Sequence, residues 1–184
     1  MDRSAFVWDK FFWRTTVRLP TGGWTSADTR TDGSPVPEPV SLYYAPEGRD
    51  DHPLDDAEIA SVAWTVANLP RLMDSLLHEL FAHYQTICAN PDGLDPEDLP
   101  ALDQAEELKS LISIESMYVH QISKDGKPYV GFEGTCPWDE EHGLGALMHD
   151  TRIVKVGGAD TAILLWIAKQ DSNRTNEVDA ATRL

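Results

Sequence analysis

The sequence predicts an α+β fold, in which an antiparallel β-sheet is packed on one face by a central helical segment. Three observations support this prediction. Short runs of β-branched and aromatic residues occur towards both ends of the chain, an Asp-Gly pair separates two of these runs, and apolar residues recur at helical spacing in the middle. Strands at both ends with helices between them are typical of α+β domains.

The length indicates one domain. The chain has 184 residues, of which 41% are hydrophobic, and this is enough to bury a core but too short for two large domains. The polar residues at the C-terminal end lack a clear period, so we expect a frayed tail there. We predict a single domain over residues 1–184, with N-terminal strands at 11–45, a helical segment at 55–113, C-terminal hairpins at 117–169 and a polar tail at 170–184.

Two strands are predicted in the N-terminal region. The runs Phe11 to Leu19 and Val40 to Tyr44 are rich in aromatic and β-branched residues, and we expect them to pair with each other. The residues between them, from Ser26 to Pro39, are small, polar and proline-rich. They are interpreted as a long surface loop.

Three helices are predicted in the middle of the chain, over residues 55–68, 71–89 and 101–111. Asp55 or Asp56 is a suitable N-cap for the first helix. Pro70 suits the first turn of the second helix, where its missing N–H costs little. The second helix has the strongest pattern, because its apolar residues follow helical spacing at Leu72, Leu76, Leu77, Leu80, Tyr84 and Ile87.

A first C-terminal hairpin is predicted to turn at Asp125-Gly126, a favoured two-residue turn. This turn sets a register in which Ile122 faces Tyr129 and Val119 faces Phe132. The alternation along the strands then defines the face that we expect to be buried in the core, which comprises Met117, Val119, Val130 and Phe132.

A second hairpin is predicted over Leu144–Gly157, with its turn at Asp150-Thr151. The apolar run from Ala162 to Ala168 follows a glycine-rich turn and contains β-branched and aromatic residues. We favour a buried strand for this run, with a helix as the alternative, because its periodicity does not separate the two.

Composition narrows the range of partners. The formal net charge is −16 and the isoelectric point is near 4.5, which argues against binding to nucleic acid and favours a basic protein partner.

The two cysteines do not form a disulfide framework, and no cofactor motif is present. Because the sequence has neither a signal-peptide pattern nor a membrane-spanning run, we expect a cytoplasmic protein without membrane contact. The oligomeric state is left open.

The loop between the two hairpins is the predicted functional surface. It contains a proline, several glycines and three consecutive acids, and loops with such mixtures of aromatic, acidic and imidazole groups often carry function. The predicted binding residues are Trp138, Asp139, Glu140, Glu141 and His142.

The same residues resemble a family signature. The run Trp138–Gly145, followed by Met148-His149 and by Val156–Asp160, is similar to a bacterial family described as a domain of unknown function, DUF6985. The order of the preceding strands and helices also resembles that family. The resemblance implies a bacterial origin and an α+β domain, and it supplies no catalytic residues. Some relatives resemble immunity-type proteins.

Two enzyme chemistries are argued against by spacing. His78 and His83 are five residues apart, whereas the helical zinc-protease motif needs two histidines four apart. The glycines of the chain do not form a phosphate-binding loop that ends in a lysine. The candidates for metal ligands are Asp139, Glu141 and His142, with Cys136 or His149 at the margin of the site.

We therefore predict a bacterial protein with a non-catalytic, immunity-like binding role, in which the acidic loop and the acidic middle of the chain recognise a basic partner. Two alternatives remain open. The first is a cation-dependent hydrolase that uses Asp139, Glu141 and His142. The second is an accessory domain of an operon-encoded complex.

Overall fold

One seven-stranded β-sheet organises the computed structural model, which describes residues 2–20, 24, 39–44, 47–48, 50–91 and 93–181, with side chains as far as residue 174. Its strands are β1 (Val7–Trp8), β2 (Trp13–Arg18), β3 (Pro39–Tyr44), β4 (Ser113–Lys124), β5 (Lys127–Thr135), β6 (Leu144–His149) and β7 (Arg152–Gly157). Within this described part, no helix combines the length and apolar character needed to cross a membrane.

The strands follow one another across the sheet in chain order. All neighbouring pairs are antiparallel except β3 and β4, which are parallel. A parallel pair requires a crossover connection, and the long helix α1 (Asp56–Ala89) lies in that connection. The predicted α+β class is confirmed, and the sheet is mostly rather than wholly antiparallel.

The first two predicted helices are a single helix. Asp55 caps α1, and its carboxylate and that of Glu58 form a reciprocal capping box. The predicted break at Pro70 is wrong, because α1 continues through this residue. Leu69 and Leu72 on either side of the proline are both buried, so packing against the sheet outweighs the lost backbone hydrogen bond.

The main core lies between α1 and one face of the sheet. The predicted buried face of the first hairpin is confirmed, since Met117, Val119, Val130 and Phe132 are at most 1% exposed. From α1, the buried partners are Val62, Leu69, Leu72, Met73, Leu76, Leu77, Leu80 and Tyr84.

The register of the first hairpin differs from the prediction beyond its turn. The turn itself is confirmed, with Lys124 paired to Lys127. An irregularity between Val119 and Ser123 then shifts β4 by two residues, so that Val119 faces Val130 instead of Phe132. A shift of two residues leaves each side chain on the same face of the sheet. The buried face was therefore predicted correctly, although the cross-strand pairs were not.

The second face of the sheet is partly covered by the C-terminal residues. The favoured strand over 162–168 is wrong and the helical alternative is closer. Ala162 ends a 3-10 helix (Ala159–Ala162), residues 163–164 form a short connection, and residues 165–168 begin α2 (Leu165–Ala181). Ile167 and Ala168 of α2 pack against Tyr129 and Leu147 of the sheet, and such contacts stabilise a helix where periodicity alone is ambiguous.

Four further predictions have different outcomes. The second hairpin is confirmed as β6 and β7, which join at Asp150-Thr151. The predicted helix over 101–111 is wrong in type, because residues 105–110 form a 3-10 helix. The frayed tail is wrong as far as residue 181, to which α2 extends. The predicted loop over 26–39 lies almost wholly outside the described residues; Pro39 begins β3.

The 3-10 helix Ala159–Ala162 is held against the sheet by a close backbone contact. A Cβ added to Gly131 of β5 would lie 1.9 Å from the Ala162 carbonyl oxygen, so only glycine allows this approach. The same carbonyl accepts a hydrogen bond of 2.8 Å from Nε2 of the buried His120. These contacts join the C-terminal residues to the centre of the sheet.

We predict that Gly131→Ala destabilises the fold by about 3 kcal/mol, because the added methyl group meets backbone that cannot rotate away. Urea unfolding followed by circular dichroism measures this change. The matched control is Gly157→Ala, whose added Cβ would lie 2.6 Å from the Thr161 hydroxyl, a group that rotates. Equal losses in the two variants would contradict the close-contact explanation.

The environment of His120 indicates that the stability of the fold depends on pH. Its Nδ1 has no hydrogen-bond partner among the described protein groups, and burial lowers the pKa of this histidine below its ordinary 6.5. The unfolded chain therefore binds the proton more readily, and stability falls as the pH drops below about 6.5. Each unit of difference in pKa corresponds to about 1.4 kcal/mol.

We expect His120→Gln to reduce the loss of thermal stability between neutral and mildly acidic pH, because glutamine can donate to the Ala162 carbonyl without titrating. Melting temperatures of both proteins across this range test the expectation. An unchanged pH dependence in the variant would assign the effect to other groups.

Candidate functional site

The acidic loop, which we define as Cys136–Gly143, connects β5 to β6 at one end of the sheet. The N–H of Ala159 donates a 2.8 Å hydrogen bond to the His142 carbonyl in this loop. Because Ala159 begins the 3-10 helix that packs against Gly131, the position of the loop depends on that contact. The loop is therefore held by this hydrogen bond to the 3-10 helix as well as by the two strands that it connects.

Trp138 attaches the loop to α1. It lies in a short 3-10 helix, Pro137–Asp139, and its ring centroid is 5.1 Å from that of the buried Tyr84. The Tyr84 hydroxyl in turn donates a 2.5 Å hydrogen bond to the Pro100 carbonyl. Trp138 is only half-buried, so one part of it holds the loop in place and another part remains exposed.

Asp139 and His142 form the main polar contact of the loop. The Asp139 carboxylate accepts hydrogen bonds from the backbone N–H of His142 at 3.0 Å and from its ring Nδ1 at 2.9 Å. An aspartate that accepts backbone hydrogen bonds from nearby residues stabilises a turn. This pair therefore supports the shape of the loop.

The contact also changes both pKa values. The hydrogen bond from His142 lowers the pKa of Asp139, and the same bond raises the pKa of His142. The contribution of Asp139 to stability is lost as the pH falls through its folded-state pKa. That of His142 is lost as the pH rises through its own. The pair consequently stabilises the loop most between these two values.

Glu140 and Glu141 have no such structural role. Both side chains are exposed, and neither makes a hydrogen bond or ion pair with the described part of the chain. Two adjacent carboxylates are thus presented to solvent on a well-supported loop.

The three predicted metal ligands do not all converge. Asp139 and His142 are in contact, but Glu141 does not complete a group whose ligand atoms lie within 4.8 Å of one another. The loop therefore provides a carboxylate–imidazole pair, and not the three-ligand cluster that the sequence suggested.

One group of three potential metal ligands does lie this close together, and it was not predicted from the sequence. Asp50, Asp51 and His52 are consecutive and exposed, and among the described residues they are the group whose ligand atoms lie within this distance. Their adjacency was the available signal. The ring of His52 already pairs with Asp50 at 2.7 Å, and exposed acidic groups of this kind are common on protein surfaces.

The two marginal candidates occupy other environments. Cys136 is buried, which raises the pKa of its thiol to about 11, and its Sγ lies 3.8 Å from the Gly143 carbonyl oxygen. His149 is also buried, with Nε2 2.9 Å from the Lys124 carbonyl and its ring against Tyr129. Both residues contribute to packing at these positions.

Comparison with protein families identifies the chain. A family model described as Domain of unknown function (DUF6985) matches residues 15–164. The chain belongs to the DUF6985 family. Comparisons with curated proteins and with solved structures gave no match.

Several residues of the Trp138–Gly145 run have structural explanations in this DUF6985 member. Gly143 adopts a φ of +68°, which favours glycine, and its N–H donates to the Asp139 carbonyl at 2.8 Å. A Cβ on Gly145 would lie 2.2 Å from the Gly158 carbonyl oxygen. These glycines let the loop and the residues after β7 approach each other closely, and the exposed glutamates are left without a packing role.

We predict that Asp139→Asn lowers the pKa of His142 towards its ordinary 6.5, because the amide removes the negative charge while it can still accept the backbone hydrogen bond. NMR titration of the imidazole signals measures this pKa.

Glu140→Gln is the matched control, since it removes a neighbouring charge and leaves the Asp139–His142 contact in place. Its His142 should titrate close to the wild-type value. If His142 had the same pKa in the wild type and in Asp139→Asn, the proposed contact would not exist in solution.

Proposed function

We propose that this DUF6985 protein is a non-catalytic binding protein that recognises a basic protein partner through its acidic loop. The observation that carries the proposal is the exposure of Glu140 and Glu141 on a loop whose neighbouring residues are used to hold it in place. Charged groups that make no hydrogen bond or ion pair within the described structure, on a preorganised loop, are available to a partner at a low entropic cost.

The acidic segment of residues 93–107 extends this surface. It adjoins the loop because Tyr84 contacts Trp138 on one side and Pro100 on the other. Glu97 and Asp103 in this segment are exposed, and their carboxylates have no partner among the described side chains. We propose that they belong to the same acidic recognition surface as the loop.

The overall charge supports a basic partner. At a net charge of −16, the protein attracts cationic surfaces and repels other acidic molecules, which favours fast and selective association. Within the proposal, we place this role in the bacterial cytoplasm. The specific form suggested by the immunity-like relatives is recognition of a basic toxin.

The hydrolase alternative gains no support from the geometry of the loop. Asp139 and His142 bond to each other, and Glu141 does not join them in a ligand group. No contact in the described structure favours an operon-encoded complex over a separate partner, so the accessory-domain alternative is one specific case of the binding proposal.

We predict that the double variant Glu140→Lys/Glu141→Lys binds the partner at least tenfold more weakly, equivalent to about 1.4 kcal/mol. Partners can be obtained by quantitative capture from a lysate with wild-type and variant baits. Affinity and association rate are then measured with the purified partner, and the loss should appear largely in the association rate.

The double variant Glu47→Lys/Asp74→Lys controls for net charge, because it makes the same change at exposed residues outside the acidic loop. Its affinity should remain closer to that of the wild type. If both double variants bound equally well, or both lost affinity equally, the loop would not be the recognition surface.

A further inference from the structure

A positively charged cleft lies between β7 and α2, on a protein that is strongly acidic overall. It has a volume of about 250 Å³ and is lined by Arg152, Lys155, Trp166, Asp171 and Arg174, among others. The cationic side chains in this lining exceed the anionic ones, against a net charge of −16 for the chain. Such a local reversal of sign concentrates the field that attracts an anion.

One of the cations is already paired within the protein. Asp171 accepts hydrogen bonds from Arg152 at 2.6 Å and from the Tyr129 hydroxyl at 2.8 Å. Burial opposes the ionisation of Asp171, but these hydrogen bonds outweigh it and hold its pKa below the ordinary value. Arg152 therefore supports the wall of the cleft, and its charge is largely compensated.

Lys155 and Arg174 remain as available cations. Neither forms an ion pair with a carboxylate of the described residues. Lys155 Nζ lies 5.5 Å from the ring centroid of Trp166, a cation–π distance. Trp166 itself is 51% exposed, which is unusual for so large an apolar side chain.

We propose that this cleft binds an acidic segment of a protein partner. A carboxylate of that segment lies between Lys155 and Arg174, and its apolar stem packs on the exposed face of Trp166. Tryptophan and arginine are the residue types most enriched in the energetically important positions of protein interfaces. The guanidinium of Arg174 also matches a carboxylate in two parallel hydrogen bonds.

A carboxylate fits this cleft better than a phosphate does. An aspartate or glutamate of a peptide can pack its apolar stem on the exposed Trp166 while its carboxylate meets Lys155 and Arg174, whereas inorganic phosphate has no apolar group for this ring. Phosphate sites commonly use backbone N–H groups at the N-terminus of a helix, whereas the donors here are side chains from the middle of α2 and from β7. The chemistry therefore points to aspartate or glutamate in the partner.

This surface is separate from the acidic loop. The loop adjoins Gly158, which follows β7 and approaches His142, while the cleft is lined by Arg152 and Lys155 of β7 and by residues of α2, with no contribution from the loop. The inference does not rest on the proposed function, and the two surfaces attract groups of opposite sign.

The test is an NMR titration of the full chain with a capped hexaglutamate peptide at about 0.15 M salt, where long-range repulsion by the acidic surface is screened beyond about 8 Å. The Trp166 indole signal is assigned with Trp166→Phe. We expect a saturable shift of that signal at millimolar peptide. Capped hexalysine should instead shift signals of Glu140 and Glu141, so the two proposals are tested independently.

Charge reversal locates the site. Lys155→Glu and Arg174→Glu should each weaken hexaglutamate binding by about tenfold. Lys169→Glu makes the same change on an exposed part of α2 outside the cleft lining and should have a much smaller effect. Each variant is first checked for a wild-type circular dichroism spectrum.

Three outcomes would overturn the inference. They are the absence of a saturable Trp166 shift with hexaglutamate, an equal loss of binding in Lys169→Glu, and tighter binding of inorganic phosphate than of the peptide. The second would indicate general electrostatic attraction, and the third would indicate a phosphate ligand.

Discussion

The contact between the 3-10 helix Ala159–Ala162 and the middle of the sheet supports both candidate surfaces. It depends on Gly131, which leaves room for the Ala162 carbonyl, and on His120, which donates to the same oxygen. At its N-terminal end this helix holds the acidic loop through His142. At its C-terminal end it leads into α2, which forms one wall of the basic cleft. A change at one buried backbone contact should therefore disturb both candidate surfaces.

The Trp138–Gly145 run combines residues that hold the acidic loop in place with residues that the loop exposes to solvent. Trp138 packs on Tyr84, Asp139 bonds to His142, and Gly143 adopts a left-handed backbone conformation. Glu140 and Glu141 take part in none of these contacts. A short motif can thus resemble a metal site because it contains acids and a histidine, although most of its residues are explained by backbone geometry. The separation of the two groups was possible only once the contacts were known.

Charge is distributed unevenly over this molecule. Glu140 and Glu141 are exposed on the acidic loop, Glu97 and Asp103 are exposed on the segment 93–107, and the lining of the cleft beside Trp166 has more cations than anions. The net charge of −16 agrees with the acidic residues but does not indicate the cleft, because a total charge does not show that Lys155 and Arg174 line the same site. The cleft could not be predicted from the sequence, because residues 162–168 were interpreted as a strand and residues 170–184 as a tail. With α2 in place, Trp166 and Arg174 lie along one side of a helix, next to β7.

The sequence was sufficient to predict those features that depend on interactions between residues close together in the chain. Asp125-Gly126 and Asp150-Thr151 form the predicted turns, Asp55 forms the predicted cap, and strict alternation identified the buried face of the first hairpin. The acidic loop was also placed correctly between its two hairpins, because proline, glycine and consecutive acids are unfavourable in regular elements.

Tertiary packing decided the remaining features, since each depends on contacts between residues far apart in the chain. The buried surface of α1 carries the helix through Pro70, a residue whose local preference is to begin or end a helix. The two-residue shift in β4 and the helical state of 165–168 arise beside partners on other elements. Sequence by itself therefore determined the α+β class, the turns and the acidic character. The structure determined which side chains meet, because those distances are set by the packing of the whole fold.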